Sequence, residues 1–268
     1  MKKIEIGKYV YLAENNVIVN REVLKFFLKR ANKKKIKMEG IKLKEKKVQS
    51  SIKNLKQLTI EVTQACNLRC KYCVYGDFYP FQRKHSSKRI EPFVIEEGIN
   101  YVYELINARN YKEFQIGFYG GEPLLYFDLI KDIVSYVQKK FKGWKISFYL
   151  TTNGTLITKG MVEFFIKNRF NLAISLDGPK ENHDVKRITP SGEGSFEKVY
   201  ESLRLIKEID EKYFFSKVSF SCVFSLDLSF KHLYDFFIKD DLVNKNTILL
   251  GFVNMNKTTY YFYFPKKK

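Results

Sequence analysis

From Leu58 to Val253 the chain alternates between two spacings of apolar residues, and this alternation restricts the fold more than any other feature of the sequence. Leu58, Ile60 and Val62 occupy every second position, as in a strand with one buried face. The next apolar residues recur at steps of three and four, as in an amphipathic helix: Ile95, Ile99, Val102 and Ile106. Strand and helix patterns then repeat at intervals of about thirty residues, which predicts an α/β fold with a parallel sheet.

Six strands are predicted, at residues 58–62, 114–119, 145–151, 172–176, 217–224 and 248–253. Helices are expected from about Pro92, around residues 130–137, and over residues 158–168, 199–206 and 232–238, with residues 177–193 as a loop. Such repeats either curve into an open barrel or lie flat in a doubly wound sheet. Unusual residues follow the C-terminal end of each of the first four strands. In barrels of this type the functional groups lie at that end of the strands, which forms one rim of the barrel. We therefore predict a partial (β/α)6 TIM-like barrel of parallel strands over residues 55–253.

Three of the four cysteines follow the first strand within eight residues, in a C-x3-C-x2-C spacing: Cys66, Cys70 and Cys73. Thiolates this close together usually bind metal. A zinc site needs four ligands, and His85, twelve residues on, is a weak candidate for the fourth. Three thiolates also suit a [4Fe-4S] cluster, whose fourth iron is then free to bind a substrate or cofactor. Buried structural cysteines are the remaining alternative, and for Cys222, which alternates with apolar residues, burial is the favoured interpretation.

Glycine and polar residues follow the next three strands at the same rim: Gly120, Gly121 and Glu122, then Asn153, then Ser175, Asp177 and Arg187. Paired glycines let the backbone approach a ligand closely, and a neighbouring carboxylate can meet an ammonium group. The same residues also suit an ordinary turn, with Pro123 at a first helical position. The planar guanidinium of an arginine suits recognition of a carboxylate. His183 is interpreted as a loop histidine bonded to its neighbours.

These motifs together resemble the radical S-adenosylmethionine (radical SAM) superfamily, whose signature is this cysteine spacing with an aromatic residue before the last cysteine, here Tyr72. The segments 151–154 and 175–179, read as Thr-Thr-Asn-Gly and Ser-Leu-Asp-Gly-Pro, are similar to those of anaerobic sulfatase-maturating enzymes and related SPASM/twitch-type peptide maturases. The resemblance covers the predicted barrel.

The resemblance implies two cofactors, a [4Fe-4S] cluster and S-adenosyl-L-methionine, and an enzyme that cleaves the second to a 5′-deoxyadenosyl radical. It implies that the three cysteines bind the cluster and that the remaining residues bind S-adenosylmethionine: Tyr72 near the adenine, Gly120, Gly121 and Glu122 at the amino group, and Asn153, Ser175 and Arg187 elsewhere on the cofactor. Tyr75 and Asp177 are expected at a substrate pocket. A ribosomal peptide or protein side chain is the implied substrate, and a reducing electron donor is the implied partner.

The two ends of the chain are predicted to lie outside the barrel. Residues 1–50 read as a small α+β extension with short strands and a helix from Asn20 through Ala31, which resembles part of a precursor-recognition element. Residues 254–268 read as a tail. The similar maturases usually continue into a C-terminal domain with auxiliary clusters, which we expect to be absent here.

The net charge of +19 and the absence of any run of eighteen apolar residues limit the remaining function classes. Much of the charge lies between Lys25 and Lys56, so a solvated basic face is favoured over a peptide partner, and nucleic acid is unlikely as a ligand. No membrane segment or signal peptide is predicted, and free thiols favour a cytoplasmic location. Two alternatives stay open: a barrel that binds the cofactor without turnover, and a basic metal-containing module that binds nucleic acid or a partner.

Overall fold

The computed structural model describes residues 3–6, 9–12, 17–20, 54–108 and 110–263. The chain divides into two compact units, residues 1–49 and residues 50–268. The first unit contains three antiparallel strands in the order of the chain, β1 (Lys3–Ile6), β2 (Tyr9–Leu12) and β3 (Val17–Asn20). These match the short strands predicted there, whereas the helix predicted from Asn20 through Ala31 lies outside the described residues.

A six-stranded sheet dominates the second unit: β4 (Gln57–Thr63), β5 (Glu113–Gly120), β6 (Lys145–Thr152), β7 (Asn171–Ser175), β8 (Val218–Phe224) and β9 (Thr247–Phe252). Every neighbouring pair is parallel, and the strands lie side by side in the order of the sequence. A doubly wound sheet would reverse its strand order partway. When every crossover leads to the next strand on the same side, all helices pack on one face of the sheet and the other face becomes the interior of a barrel. The predicted partial (β/α)6 barrel is therefore confirmed.

Eight α-helices accompany the strands in the described ranges: α1 (Pro92–Ile106), α2 (Phe127–Lys140), α3 (Lys159–Lys167), α4 (Lys180–Lys186), α5 (Phe196–Ile209), α6 (Glu211–Lys217), α7 (Phe230–Lys239) and α8 (Tyr260–Tyr263). Helix α1 begins at Pro92, as predicted, because proline fixes a helical φ where a backbone donor is not needed. The side chain of Thr158 caps α3 by accepting from the backbone N–H of Met161. Among the described residues, no helix combines the length and apolar character needed to cross a bilayer.

The hydrophobic core lies between the sheet and these helices, and aromatic rings fill its centre. Phe118, Phe148 and Phe170 stack against one another, with ring centroids 5.2, 5.8 and 6.4 Å apart. On β8 the buried residues alternate with less buried ones, as a strand covered on one face requires. Cys222 is buried in this core, so its interpretation as a small buried side chain is confirmed.

Two predictions about local structure need correction. Residues 177–193 were predicted as a loop but contain α4, whose sequence lacks apolar periodicity and is anchored by the buried His183. Residues 254–263, predicted as part of a tail, pack on the barrel instead. The ring of Tyr260 is fully buried and contacts Phe78, and the backbone N–H of Thr259 donates to the carbonyl of Phe78 at 2.9 Å. Burial of aromatic rings against a loop distant in sequence has no local signature.

Candidate cofactor-binding site

A cavity of about 270 Å³ opens at the C-terminal ends of the strands. Ten of the twelve predicted site residues line it: Cys66, Cys70, Tyr72, Cys73, Tyr75, Gly120, Gly121, Asn153, Ser175 and Arg187. The other two, Glu122 and Asp177, do not. A larger cavity of about 370 Å³ runs along β4 and α1 and contains no cysteine. The smaller cavity is the candidate site because the reactive side chains converge there.

The cysteines lie on a loop of residues 64–91, here called the cysteine loop, between β4 and α1. A turn between the second and third cysteines is closed by the backbone N–H of Cys73, which donates to the carbonyl of Cys70 at 2.9 Å. The backbone of Arg69 donates to the carbonyl of Ile188 at 2.6 Å, so the segment after α4 holds the loop from the other side. Three thiols are thereby fixed on one wall of the cavity.

Nitrogen donors approach two of the sulfur atoms. The backbone N–H of Leu68 lies 3.4 Å from Cys66 Sγ, and Asn153 Nδ2 lies 3.9 Å from the same atom. Arg187 Nη1 lies 4.0 Å from Cys70 Sγ. Burial raises the pKa of the Cys66 thiol, and raises that of Cys70 to about 12. These thiols therefore stay protonated at neutral pH unless a cation binds them, and binding releases the protons.

His85 meets the third cysteine, with Nε2 3.6 Å from Cys73 Sγ. Its Nδ1 lies 3.4 Å from the carbonyl oxygen of Gln64, which can only accept. The proton of the neutral ring is thus assigned to Nδ1, and Nε2 accepts from the thiol. Burial raises the pKa of Cys73 and lowers that of His85. In residues 54–108 and 110–263, no three His, Cys, Asp or Glu side chains come close enough to share one metal ion.

The glycine pair lies directly against the cysteine loop. The backbone N–H of Gly121 donates to the carbonyl of Thr63, and that of Glu122 to the carbonyl of Ala65, each at 2.8 Å. A Cβ atom on Gly121 would overlap the carbonyl oxygen of Ala65, and Gly120 has a φ of 140°. Only glycine therefore allows the end of β5 to pass this close to the loop.

Glu122 lies beneath the cavity and connects the ends of two strands. Its carboxylate accepts from Leu124 N at 3.0 Å, from Thr152 Oγ1 at 2.7 Å and from Asn153 N at 2.7 Å. Burial raises the pKa of Glu122, although these three donors oppose the shift. With both oxygens engaged away from the cavity, the side chain holds Thr152 and Asn153 in place, whereas the sequence predicted a direct contact with the cofactor.

Asp177 is also buried and holds Arg187. Its Oδ2 accepts from Arg187 Nε at 2.8 Å and from the Tyr72 hydroxyl, and its Oδ1 accepts from the backbone N–H of Val223 at 2.8 Å. Burial is the largest single effect and would lower the pKa of Arg187, but the Asp177 carboxylate together with Tyr72 and Cys70 outweighs it, and the net shift is upward. Asp177 is 2% exposed and outside the cavity lining, so the substrate-pocket position expected from the sequence is replaced by a position behind Arg187.

His183 closes a chain of hydrogen bonds around this ion pair. The backbone N–H of Asp177 donates to His183 Nδ1 at 3.3 Å, which assigns the proton of the neutral ring to Nε2. Nε2 lies 3.0 Å from Ser195 Oγ, and that hydroxyl donates to the carbonyl of Arg187 at 2.9 Å. The prediction that His183 bonds to its neighbours is confirmed, but the residue lies on α4 and not on a loop.

The family model described as Radical SAM superfamily matches residues 60–223. The chain belongs to the radical SAM superfamily. The matched residues run from β4 to β8 and include all three cysteines that line the cavity.

Similar proteins include enzymes with different named activities. The radical SAM cyclopropyl synthase TigE of Paramaledivibacter caminithermalis is 29% identical over 94% of this chain and 53% of its own length. The cysteine-type anaerobic sulfatase-maturating enzyme of Clostridium novyi is 31% identical over 60% of this chain and 43% of its own length. Among solved structures, native anSMEcpe with bound AdoMet (S-adenosylmethionine) and Cp18Cys peptide matches with a TM-score of 0.60 and 27% identity, over 73% of this chain and 50% of that chain. The chain spans about half the length of these relatives.

Membership in the radical SAM superfamily implies a [4Fe-4S] cluster and S-adenosylmethionine as cofactors. The residues present fit both groups. Three thiols on one wall suit a cluster in which each sulfur binds a separate iron, and N–H groups close to two of them, Cys66 and Cys70, suit cluster sulfur ligands. The guanidinium of Arg187 and the backbone at Gly120 and Gly121 line the adjoining part of the cavity, where an anionic or polar cofactor group can be bound.

The close packing of Gly121 leads to a first prediction. Changing Gly121→Ala forces the end of β5 and the cysteine loop apart, because the added methyl group meets a backbone carbonyl that cannot rotate away. We expect the free energy of unfolding to fall by about 1–3 kcal/mol and iron incorporation to fall at least by half. Gly160→Ala in α3 is the matched control, since no atom lies within 4 Å of its added Cβ. Thermal unfolding and iron analysis check both, and equal behaviour of the two variants contradicts the prediction.

The buried side chain of His183 leads to a second prediction, that the free energy of unfolding depends on pH. Burial lowers the pKa of His183 from 6.5 to about 4. Between these two pH values the ring is neutral in the folded protein and protonated in the unfolded chain. The stability that His183 contributes is therefore complete above pH 6.5 and is lost as the pH falls from 6.5 towards 4. Between pH 7.5 and 5.0 we expect the wild type to lose about 2 kcal/mol more than His183→Gln. Urea unfolding of the metal-free protein measures this difference. His232→Gln, at an exposed position on α7, should behave as the wild type.

Several cavity residues were not predicted from the sequence: Tyr119, Ser221, Val223, Phe252, Val253 and Asn254. Most occupy the last positions of strands or the residues just after them, the rim where the predicted residues lie. Tyr119 directly precedes the glycine pair in the sequence, and this position could have identified it as a cavity residue. Ser221 and Phe252 look like ordinary strand residues, so only the curvature of the sheet brings β8 and β9 to the cavity.

Proposed function

We propose that the protein is a radical SAM enzyme that modifies a ribosomal peptide or a protein side chain. A bound and reduced [4Fe-4S] cluster would supply the electron for cleavage of S-adenosylmethionine to methionine and a 5′-deoxyadenosyl radical, and the chemistry supplied to the substrate would be hydrogen abstraction. The observation that carries the proposal is the convergence of the three cysteines, the glycine pair and Arg187 on one cavity.

The protein's own residues would bind and orient the two cofactors. Cys66, Cys70 and Cys73 would hold the cluster as thiolates, and S-adenosylmethionine would bind beside it in the same cavity. Backbone groups at Gly120 and Gly121 would contact the ammonium group of S-adenosylmethionine. Glu122 would hold Asn153 in position by accepting from its backbone N–H.

Arg187 and Ser175 are proposed to hold the carboxylate or ribose of the cofactor. Arg187 is suited to this role because Asp177 accepts from its Nε, while its Nη1 lies 4.0 Å from Cys70 Sγ at the cavity wall. Tyr72 lines the same wall and is proposed to contact the adenine, while its hydroxyl stays bonded to Asp177. Tyr75 is proposed to face the substrate. The guanidinium carbon of Arg83 lies 3.5 Å from its ring centroid, which fixes the ring at the cavity edge.

A peptide substrate is supported by the relatives. One similar solved structure holds a peptide, and sulfatase maturation and cyclopropyl synthesis are the named activities of two similar sequences. The reaction also needs a reducing electron donor, and the free thiols required for the cluster favour the cytoplasm as its compartment.

The proposal is tested with anaerobically reconstituted protein under dithionite. We expect about four irons per chain and formation of 5′-deoxyadenosine from S-adenosylmethionine, with faster formation when a peptide encoded next to the gene is added. Iron-free protein with intact thiols, or bound S-adenosylmethionine without any cleavage, would overturn the radical reaction. Equal cleavage with and without every neighbouring peptide would overturn the peptide substrate alone.

A further inference from the structure

Asn67 and Thr155 form a closed ring of hydrogen bonds with Asn153 beside the first cysteine. Asn153 Nδ2 donates to Asn67 Oδ1 at 2.8 Å, and Asn67 Nδ2 donates to Thr155 Oγ1 at 2.8 Å. The Thr155 hydroxyl closes the ring by donating to Asn153 Oδ1 at 2.7 Å. Asn67 and Asn153 lie 86 residues apart along the chain, so the ring joins the cysteine loop to the turn after β6.

The direction of every bond in the ring follows from one backbone group. The backbone N–H of Thr155 lies 3.0 Å from Asn153 Oδ1 and can only donate, which identifies that atom as the amide oxygen. The other amide atom of Asn153 is therefore the nitrogen, so the Asn67 atom that faces it must be the oxygen. The second amide atom of Asn67 is then a nitrogen, and the hydroxyl that accepts from it keeps its own proton for Asn153. The hydrogen-bond network thus assigns both amides.

The ring turns the amide nitrogen of Asn153 towards Cys66. Asn153 Nδ2 lies 3.9 Å from Cys66 Sγ, and Asn67 accepts one of its two hydrogens, so the other is left for the sulfur. A cysteine that binds iron is a thiolate, and a charged acceptor attracts an N–H group more strongly than a neutral thiol does. The contact between the amide and the sulfur therefore gains strength when Cys66 binds iron.

The same bonds leave the Asn153 amide without a free group for S-adenosylmethionine. Its oxygen accepts from the backbone N–H and from the hydroxyl of Thr155, and its nitrogen donates to Asn67 and Cys66. An amide has two lone pairs on oxygen and two hydrogens on nitrogen, so all four positions are engaged. Asn153 lines the cavity, whereas Asn67 and Thr155 do not. An influence of Thr155 on the site must therefore pass through the ring.

We propose that Asn67 and Thr155 are positioning residues that hold the Asn153 amide as a hydrogen-bond donor to Cys66, and that this donor raises the reduction potential of the bound cluster. The inference rests on the proposed function, because it needs the cluster, and it replaces the contact between Asn153 and S-adenosylmethionine that the sequence predicted. A reduced cluster carries one more negative charge than an oxidised one, so a hydrogen bond to its sulfur ligand stabilises the reduced form.

The test compares Thr155→Val with Thr155→Ser in the full, reconstituted chain. Valine has nearly the shape of threonine without the hydroxyl, so the ring opens, whereas serine keeps the hydroxyl and the ring. The readout is the midpoint potential of the cluster, from a redox titration followed by EPR without S-adenosylmethionine. At a fixed potential we expect the ratio of reduced to oxidised cluster to fall about threefold in Thr155→Val, a downward shift of about 30 mV for a one-electron couple. Thr155→Ser should titrate as the wild type.

A second set of variants asks whether Thr155 acts through Asn153. Asn153→Leu removes the donor itself and should lower the same ratio at least as much as Thr155→Val. Adding Thr155→Val to Asn153→Leu should cause no further change, because the ring then has no amide left to hold. Asn67→Leu opens the ring from the cysteine loop and should shift the potential in the same direction as Thr155→Val.

Each failure has its own reading. An unshifted potential in Thr155→Val, an equal shift in Thr155→Ser, or additive shifts in the double variant overturns the proposal. Loss of iron in both Thr155→Val and Asn67→Leu assigns the ring to folding of the cysteine loop and also overturns it. So does an unchanged potential in Asn153→Leu with S-adenosylmethionine binding weakened tenfold or more, because Asn153 is then a cofactor contact.

The proposed function is measured separately, as iron content of the wild type and cleavage of S-adenosylmethionine under excess dithionite. Wild type without iron overturns the cluster and this inference together. Wild type with the expected potential shifts among its variants but without cleavage contradicts the proposed function alone. Normal iron content and cleavage with unshifted potentials contradict this inference alone.

Discussion

Replacing Cys66, Cys70 or Cys73 by alanine is expected to lower the iron content of reconstituted protein from about four per chain to below one, and to reduce 5′-deoxyadenosine formation below detection. The three thiols line one cavity, and each would supply one iron ligand that no neighbouring side chain can replace. His85 cannot substitute readily, because it reaches Cys73 only through Nε2 while its other nitrogen faces a carbonyl. Iron and sulfide analysis with the absorbance of the cluster measure the effect.

Cys222→Ala is the matched control for these variants. Its thiol is buried in the core on β8 and does not line the cavity, so iron content and cleavage should equal those of the wild type. The loss of a small buried side chain should cost about 1 kcal/mol of stability. Full iron content in any of the three cavity variants, or loss of iron in Cys222→Ala, contradicts the assignment of the cluster ligands.

Asp177→Asn is expected to have the second largest effect, on stability and on cofactor binding together. The substitution leaves the Arg187 cation buried without its counter-ion, and breaking a buried pair from one side costs about 3–5 kcal/mol. The loosened guanidinium should also weaken S-adenosylmethionine binding by at least tenfold, since Asp177 holds Arg187 by its Nε atom. Urea unfolding and equilibrium dialysis measure the two effects.

The double variant Asp177→Asn with Arg187→Met separates charge burial from packing. Removing both charges should restore at least about 1 kcal/mol of the lost stability, because no uncompensated charge stays buried. Cofactor binding should stay weak, because the guanidinium is absent. A double variant that is no more stable than Asp177→Asn alone would show that the cost came from lost packing and hydrogen bonds.

The six strands and the cysteine site were predictable because their signals are local. Leu58, Ile60 and Val62 alternate within one strand, and Cys66, Cys70 and Cys73 lie within one turn of loop, so each pattern is legible without knowledge of the rest of the chain. The glycine pair was predicted for approach to a ligand. The structure adds a contact between Gly121 and Ala65, which joins residues on two different strand ends.

Glu122 and Asp177 illustrate what the sequence could not show. Both follow strands at the rim that bears the site, and both have side chains that suit a polar ligand. In the structure each carboxylate accepts three hydrogen bonds behind the cavity, from donors such as Asn153 and Val223 that lie 31 and 46 residues away along the chain. Position along a strand predicts which end of the sheet a residue occupies, but the donors around it determine where its side chain points.

The amino-acid sequence by itself determined the α/β class, the six strands and the loop that carries the three thiols, because spacing and alternation act between near neighbours. Only the tertiary structure decided that β8 and β9 reach the cavity, that residues 254–263 pack on the cysteine loop, and that Asp177 supports Arg187. Those features depend on the curvature of the sheet and on burial of polar groups against partners remote in sequence. A buried polar group must find its partner wherever the folded chain places one.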